Sequence, residues 1–340
     1  MFPRWLASPS MVASGESARV ASQLLGRDIV GERPVIVDQT NYSVVVGETV
    51  VVKWLQPPVL SPHPGVQLLR HIASRGFSEM PPFIGCEERD ELVFATVSQF
   101  VPGAQDGWDW FVDDVDAYMR GNGTLDGLLA WAGRIGALTG RLHAALADLQ
   151  PTTVAARTYH ATAIERLDDA LRVVHGEEGV RLRALVPAVH EALSPLDSGS
   201  LLAANRVHGD LHAGQFLRAS DLLLVTDFDG NPLAKGETRL LPHSPLVDVA
   251  SMLQSIDHVG RIVVKRRHPN RIADVEHFIT AGVAAALEAY RRLRPVADEL
   301  LGAFRVAQEL HEYCYAASHL PRWLYVPDAA LPALLRGSGE

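Results

Sequence analysis

The chain changes its hydrophobic periodicity once, near residue 99, and this change constrains the fold more than any single motif. Before it, Pro34 to Leu55 reads PVIVDQTNYSVVVGETVVVKWL, three β-branched runs broken at Gln39–Asn41 and at Gly47-Glu48. That pattern predicts an antiparallel meander. Val66, Leu68, Leu69 and Ile72 then recur at helical spacing up to Gly76, and a second strand pair around Phe83–Gly85 and Glu91–Val97 flanks an acidic turn at Glu87–Asp90. Strands with one helix are expected over the first hundred residues. Past Gln99, VPGAQDGWDW makes a Pro- and Gly-containing connection, and helical periodicity dominates to about Leu196. Leu128, Ala132, Ile135, Leu138, Leu142 and Leu146 fall on one face of a helix over 128–149. A strand-like section from Val207 to Phe228 interrupts the helices, which resume at Leu246–Val259 and continue, with breaks at Pro269 and Pro295, to Leu335. The expected fold class is α/β in the broad sense (α+β). It has a small β-rich N-terminal lobe over 1–98, a linker over 99–107 and a larger, mostly helical C-terminal lobe over 108–340.

Composition narrows the function. A length of 340 residues exceeds a typical single domain, which agrees with two lobes. With 31 basic and 40 acidic side chains the net charge is −9, so a non-specific nucleic-acid partner, which needs clustered Lys and Arg, is excluded. The basic run VKRRHPNR at 264–271 reads as a solvated loop. Cys86 and Cys314 form neither a metal-ligand spacing nor a disulfide framework and are expected in the core. No stretch approaches the ~20 apolar residues of a membrane span, and the start, MFPRWLASPSMVASGES, lacks the segments of a signal peptide. The expectation is a cytoplasmic protein, monomeric or weakly dimeric, with no membrane partner. Fourteen histidines contain no HExxH pair, and His143, on an apolar stripe, reads as a satisfied core histidine.

The chemistry concentrates in VHGDLHAGQFLRASDLLLVTDFDGNP, residues 207–232. Gln215 follows Asp210 by five residues, and Asp227 follows Gln215 by twelve. Between them, Phe216–Arg218 and Leu222–Thr226 read as two short strands around Ala219–Asp221, a hairpin that brings Gln215 and Asp227 to the same end. Phosphoryl transfer needs one carboxylate to orient the attacking hydroxyl and two oxygen ligands to hold Mg²⁺ on nucleotide phosphates. The plainer alternative is a polar turn followed by a buried strand.

These residues resemble the aminoglycoside phosphotransferase-like kinase superfamily, which also holds choline and sugar kinases and has a two-lobed protein-kinase-like fold. The HGD loop and the strand-end D-x-[DE] are distantly like the HRD and DFG of protein kinases. The resemblance implies ATP as co-substrate, Asp210 as catalytic base, and Gln215 and Asp227 as Mg²⁺ ligands. Gln in place of the usual Asn narrows the match to the maltokinase-like branch, as do DGW at 106–108, HSPLVDVASMLQSIDH at 243–258 and YCYAASHLPRWLYVP at 313–327. The likeness spans about residues 30–335. It implies that His208 and Asp248 support the catalytic loop, with a helix N-cap after Pro245 as the plainer role for Asp248. It also implies that Lys53, in VVVKWL, contacts the α/β-phosphates. The usual Glu partner of that lysine is replaced here by Gln67, so its positioning is left open. No GxGxxG or GxxxxGK[ST] is present; Gln39–Asn41 stands where a phosphate-covering loop belongs, and backbone groups at Ser98–Val101 stand where adenine is bound.

Gln308, Glu312 and Tyr315 fall at helical spacing, with Trp323 after Pro321. A carboxylate, an amide and an indole suit a sugar, whose hydroxyls or amine they bond and whose C–H face the ring covers. DFDGNP at 227–232 departs from the DFEGEP of maltokinases, as do His311 and Ala316 from their usual residues. A pocket reshaped for one sugar ring makes the chain most like the glucosamine kinases of actinobacteria, with Asp229 and Glu312 against the amine or ring hydroxyls. That likeness implies phosphorylation of glucosamine to glucosamine 6-phosphate. The alternatives are a maltokinase forming maltose 1-phosphate, an aminoglycoside phosphotransferase and a nucleotide-binding pseudokinase.

Overall fold

The computed structural model describes residues 14–35, 42–231 and 241–337. Gln39–Asn41 lie outside the described residues, as does Pro232 at the end of the 207–232 segment. Backbone contacts divide the chain into two units, 1–105 with 217–240, and 106–216 with 241–340.

The first unit is built on a five-stranded antiparallel sheet. Its elements are α1 (Glu16–Leu25), β1 (Glu32–Pro34), β2 (Tyr42–Val46), β3 (Val50–Leu60), α2 (Pro64–Ser74), β4 (Phe83–Arg89) and β5 (Leu92–Gln99), with strand order β1-β2-β3-β5-β4. The second and third runs form β2 and β3 as the alternation predicts, whereas the first is described only to Val35 and its strand ends at Pro34. The expected turn at Glu87–Asp90 is narrower: Glu87, Glu88 and Arg89 pair within β4, and the chain reverses at Asp90 and Glu91. Helix α1 lies outside the expected pattern: the polar start conceals Val20 and Ala21, which pack with Val44, Val46, Val50, Val52, Trp54, Ala95 and Val97 into one cluster. Because side chains alternate across a strand, burying Val50, Val52 and Trp54 in this cluster sends Lys53 to the opposite face. Lys53 pairs in register with Ser43 and Thr96. Ser98 lies inside β5, paired with Val51 on one side and Phe83 on the other.

The hairpin β8 (Phe216–Ala219) and β9 (Leu222–Val225) corrects the expected boundaries. The expected boundary places all of 108–340 in the helical lobe, whereas from Leu217 onward the hairpin groups with the sheet unit. The backbones of Gln105 and Arg218 exchange hydrogen bonds of 3.0 and 2.9 Å, and Val225 N–H donates to Glu79 O at 2.9 Å. Pairing of distant backbone groups assigns this segment; its local sequence cannot.

The second unit is helical: α3 (Gly107–Met119), α4 (Leu125–Leu146), α5 (Ala156–Val173), α6 (Gly176–Leu193), α7 (Leu246–Arg266), α8 (Ile272–Arg291), α9 (Asp298–His319) and α10 (Tyr325–Gly337). The apolar stripe of α4 is buried throughout. Gly136 lets α4 approach α8, since a Cβ there would collide with the Ala286 carbonyl. A strand pair that the periodicity did not reveal, β6 (Thr152–Ala155) with β7 (Leu201–Ala204), precedes the HGD loop. Helix α7 is buried from Asp248 to Val263 and forms the centre of the unit. The basic run is a solvated loop only in its second half: it ends α7 at Arg266, which lies over the Trp323 ring, and continues as an exposed turn over 267–271, where Arg267 meets Asp113 and Asp116 at 2.8 and 2.9 Å. Cys86 and Cys314 are half-buried and not core residues, and burial pushes both thiols up, Cys314 to about 11. Among the described residues no helix is long and apolar enough to cross a membrane.

Candidate active site

In the second unit the HGD loop hangs from Asp248. This residue is not the helix cap, which is Pro245; it sits in the first turn of α7, fully buried. Its Oδ2 accepts from His208 N at 2.8 Å and its Oδ1 from Gly209 N at 2.8 Å. Gly209 has φ 84°, a left-handed conformation that glycine adopts without strain and that turns successive N–H groups toward one carboxylate. His143 Nε2 lies 3.1 Å from Asp248 Oδ2, and its Nδ1 lies 2.8 Å from Tyr290 Oη. An ionised carboxylate only accepts, so Nε2 carries a proton toward Asp248. Burial alone would raise Asp248, but His143 and the loop N–H groups outweigh it and hold the carboxyl below its ordinary range. His143 is thus buried and satisfied as expected, and it also braces the loop through Asp248, a link that needs residues 105 positions apart.

Further along, His208 Nδ1 accepts from Asp210 N at 3.3 Å, and His212 Nδ1 from Gly214 N at 3.1 Å. His212 Nε2 lies 3.3 Å from the terminal amide of Gln215 and 3.9 Å from Asp210 Oδ2, so one imidazole frames both predicted side chains. Helix α3 supports this loop from the side. Asp106 caps it by accepting from Trp108 N and Asp109 N, and a Cβ on Gly107 would collide with the Ala213 carbonyl. The Trp108 ring stacks on His212 at 5.6 Å and meets Trp323 edge-on at 6.0 Å. The DGW block is therefore a wall of the loop, which its sequence position alone did not reveal.

Helix α9 carries the polar face expected from spacing. Gln308 Nε2 donates to Glu312 Oε1 at 2.8 Å. Burial, helped by nearby Glu309, raises the Glu312 carboxyl, and His258, His212 and Gln308 offset part of that rise. One turn before Glu312, Glu309 is wholly buried and accepts from His258 Nε2 at 2.8 Å and from Gln254 Nε2. Burial opposes the charge of His258, but Glu309 outweighs it and lifts the imidazole to about 9. Tyr315 is raised by burial and by the charges of Asp210 and Glu312. The Glu309–His258 pair was missed because its members lie on different helices.

The first unit holds the remaining predicted residues. Lys53 Nζ lies 2.6 Å from Asp227 Oδ1 and 2.8 Å from Asp229 Oδ2. Burial works against the ammonium, but the two carboxylates outweigh it and hold Lys53 above the usual lysine range. Asp227 takes φ 61°, an uncommon left-handed conformation for a non-glycine residue, two residues after β9. Asp229, expected against a sugar amine or ring hydroxyl, lies on Lys53 Nζ. The Val101 carbonyl accepts from Ala104 N at 3.2 Å in the turn that follows the sheet. Among the described residues no group of three or more His, Cys, Asp or Glu side chains could hold a metal ion by itself.

No protein-family model matches the sequence. A glucosamine kinase of Streptacidiphilus jiangxiensis is 42% identical over 324 residues, 90% of this chain and 74% of that protein. A glucosamine kinase of Mycolicibacterium smegmatis is 40% identical over 321 residues, 90% of this chain and 80% of that protein. This chain belongs to the glucosamine kinase family. A solved glucosamine kinase, in complex with glucosamine, ADP and inorganic phosphate, matches with TM-score 0.83 and 38% identity over 95% of this chain and 83% of that one. A thermostable mutant of an aminoglycoside phosphotransferase matches with TM-score 0.56 at 13% identity, covering 95% of this chain and 99% of that one, and shares the fold alone. The kinase-like α+β fold expected from the sequence is the fold of the family.

Proposed function

We propose that this chain transfers the γ-phosphoryl group of ATP to the 6-hydroxyl of glucosamine, giving glucosamine 6-phosphate. Glu312 carries the reading. It is a half-buried carboxylate held by Gln308 in a chain whose relatives are named glucosamine kinase. Burial penalises an isolated charge, and an ammonium group brought against Glu312 would remove that penalty. Glucose offers a hydroxyl there and gains less.

In this reading Asp210 accepts a hydrogen bond from the 6-hydroxyl, aims its oxygen at the γ-phosphorus and takes its proton as the bond forms. The short links from Asp248 and His208 to the loop fix that aim before substrate arrives. Trp323, buttressed by Trp108, covers the C–H face of the sugar. Lys53 contacts the α/β-phosphates, and backbone around Val101 meets the base. Gln215 and Asp227 supply an amide and a carboxylate oxygen, the donors a hard divalent cation prefers, and would hold Mg²⁺. That ion, when bound, neutralises phosphate charge.

ATP consumption with Mg²⁺ across glucosamine, glucose, N-acetylglucosamine, maltose and kanamycin tests the reading, with Asp210→Asn as control. Turnover confined to glucosamine and lost in the variant is expected. Turnover on maltose or kanamycin would replace the acceptor, and silence on all five with ATP still bound would favour a pseudokinase.

A further inference from the structure

A lysine that grips phosphate must be held in place by something other than the phosphate, and the first turn of α2 offers only the neutral amide of Gln67. Two carboxylates share the Lys53 ammonium, and they are not equivalent. Asp227 is 42% exposed, whereas Asp229 is 18% exposed. Gly65, in the first turn of α2, approaches Asp229 so closely that a Cβ there would lie 2.7 Å from Oδ1 and 3.0 Å from Phe228 O. The Asp229 carboxylate is therefore packed between a helix start and the ammonium, with its other oxygen, Oδ2, on Lys53 Nζ. The positive end of the α2 dipole favours a carboxylate at that place.

We infer that Asp229 is the positioning residue of Lys53, that it does the work of the absent helix carboxylate, and that Gly65 leaves room for it. The inference rests on the proposed role of Lys53 at the nucleotide phosphates. Asp227, the more exposed partner, can exchange Lys53 for a cation, while Asp229 keeps the ammonium in register on β3. The same assignment removes Asp229 from sugar recognition.

Asp229→Asn keeps the shape and removes the charge. Its KM for ATP is expected to rise about tenfold and its affinity for Mg-ADP, read by calorimetry, to fall by a similar factor. The KM for glucosamine is expected to stay within about twofold, since the two contacts are independent. In a Lys53→Met background, Asp229→Asn is expected to add less than about twofold, because it acts through the lysine. Gly65→Ala, which crowds the carboxylate without touching a charge, is expected to shift the ATP terms in the same direction. A higher glucosamine KM with unchanged ATP terms would overturn the inference, and so would Mg-ADP losses that multiply in the double variant. If the unaltered chain leaves glucosamine untouched but binds Mg-ADP, the acceptor reading fails and the titrations still judge Asp229. If it does not bind Mg-ADP, both fail.

Discussion

The Lys53 cluster and the HGD loop solve one problem, holding charged side chains in register, with opposite means. In the first unit, Lys53, Asp227 and Asp229 hold one another, partly in contact with solvent. In the second, Asp210 is fixed indirectly, by backbone groups tied to a fully buried Asp248 and through it to His143 and Tyr290. Partly solvated ion pairs contribute little stability and exchange partners readily. A buried carboxylate with each oxygen bonded exchanges nothing, because breaking any bond leaves an uncompensated group. The contrast fits what phosphoryl transfer asks of each set. In the proposed roles, Lys53 must accept a new anion at every turnover, whereas Asp210 must already be aimed as the base.

Four substitutions sharpen or break this comparison. Asp210→Asn should have the largest effect, lowering kcat by roughly 10²–10⁴-fold while ADP and glucosamine still bind in calorimetry, because only the proton acceptor is lost. Asp248→Ala comes next: two loop N–H groups, one of them fully buried, and His143 lose their partner, so roughly 3 kcal/mol of stability should disappear in denaturant titration, together with most activity. If that variant melts like the parent, the loop is not held by a buried network and the comparison fails. Glu312→Gln should raise the KM for glucosamine about tenfold or more and change residual turnover of glucose much less, a difference that assigns the carboxylate to the amine. The smallest effect is expected from pH. His258 is lifted from 6.5 to about 9, so its pairing with Glu309 stabilises fully below pH 6.5 and is lost as pH rises through about 9. The Tm should fall across that window, and in His258→Gln the slope should flatten. An unchanged slope would show that this buried pair does not titrate there.

The residues proposed to bear the chemistry were readable because their spacing is local. Asp210, Gln215 and Asp227 sit within eighteen positions of sequence, and Gln308 and Glu312 lie one helical turn apart. The strands of the first hundred residues and the α4 stripe were readable for the same reason, since periods of 2 and 3.6 are written in neighbouring residues. Helix α1 does carry a stripe, Val20, Ala21, Leu24 and Leu25 at helical spacing, but it is ten residues long and its apolar face closes only against the sheet. Asp229 was read from its chemistry alone, which fits an amine and a lysine equally well.

The sequence by itself determined the two periodicities, the HGD loop with its hairpin, and the family these imply. Tertiary structure alone decided that Asp229 faces Lys53, that His143 braces Asp248, that Trp108 backs His212, and that the hairpin from Leu217 joins the sheet unit. Each of these is a contact between residues from 104 to 176 positions apart. Local pattern fixes which face of an element is apolar, but the partner of a polar side chain on that face is chosen only when distant segments pack and each buried donor or charge must find its counterpart.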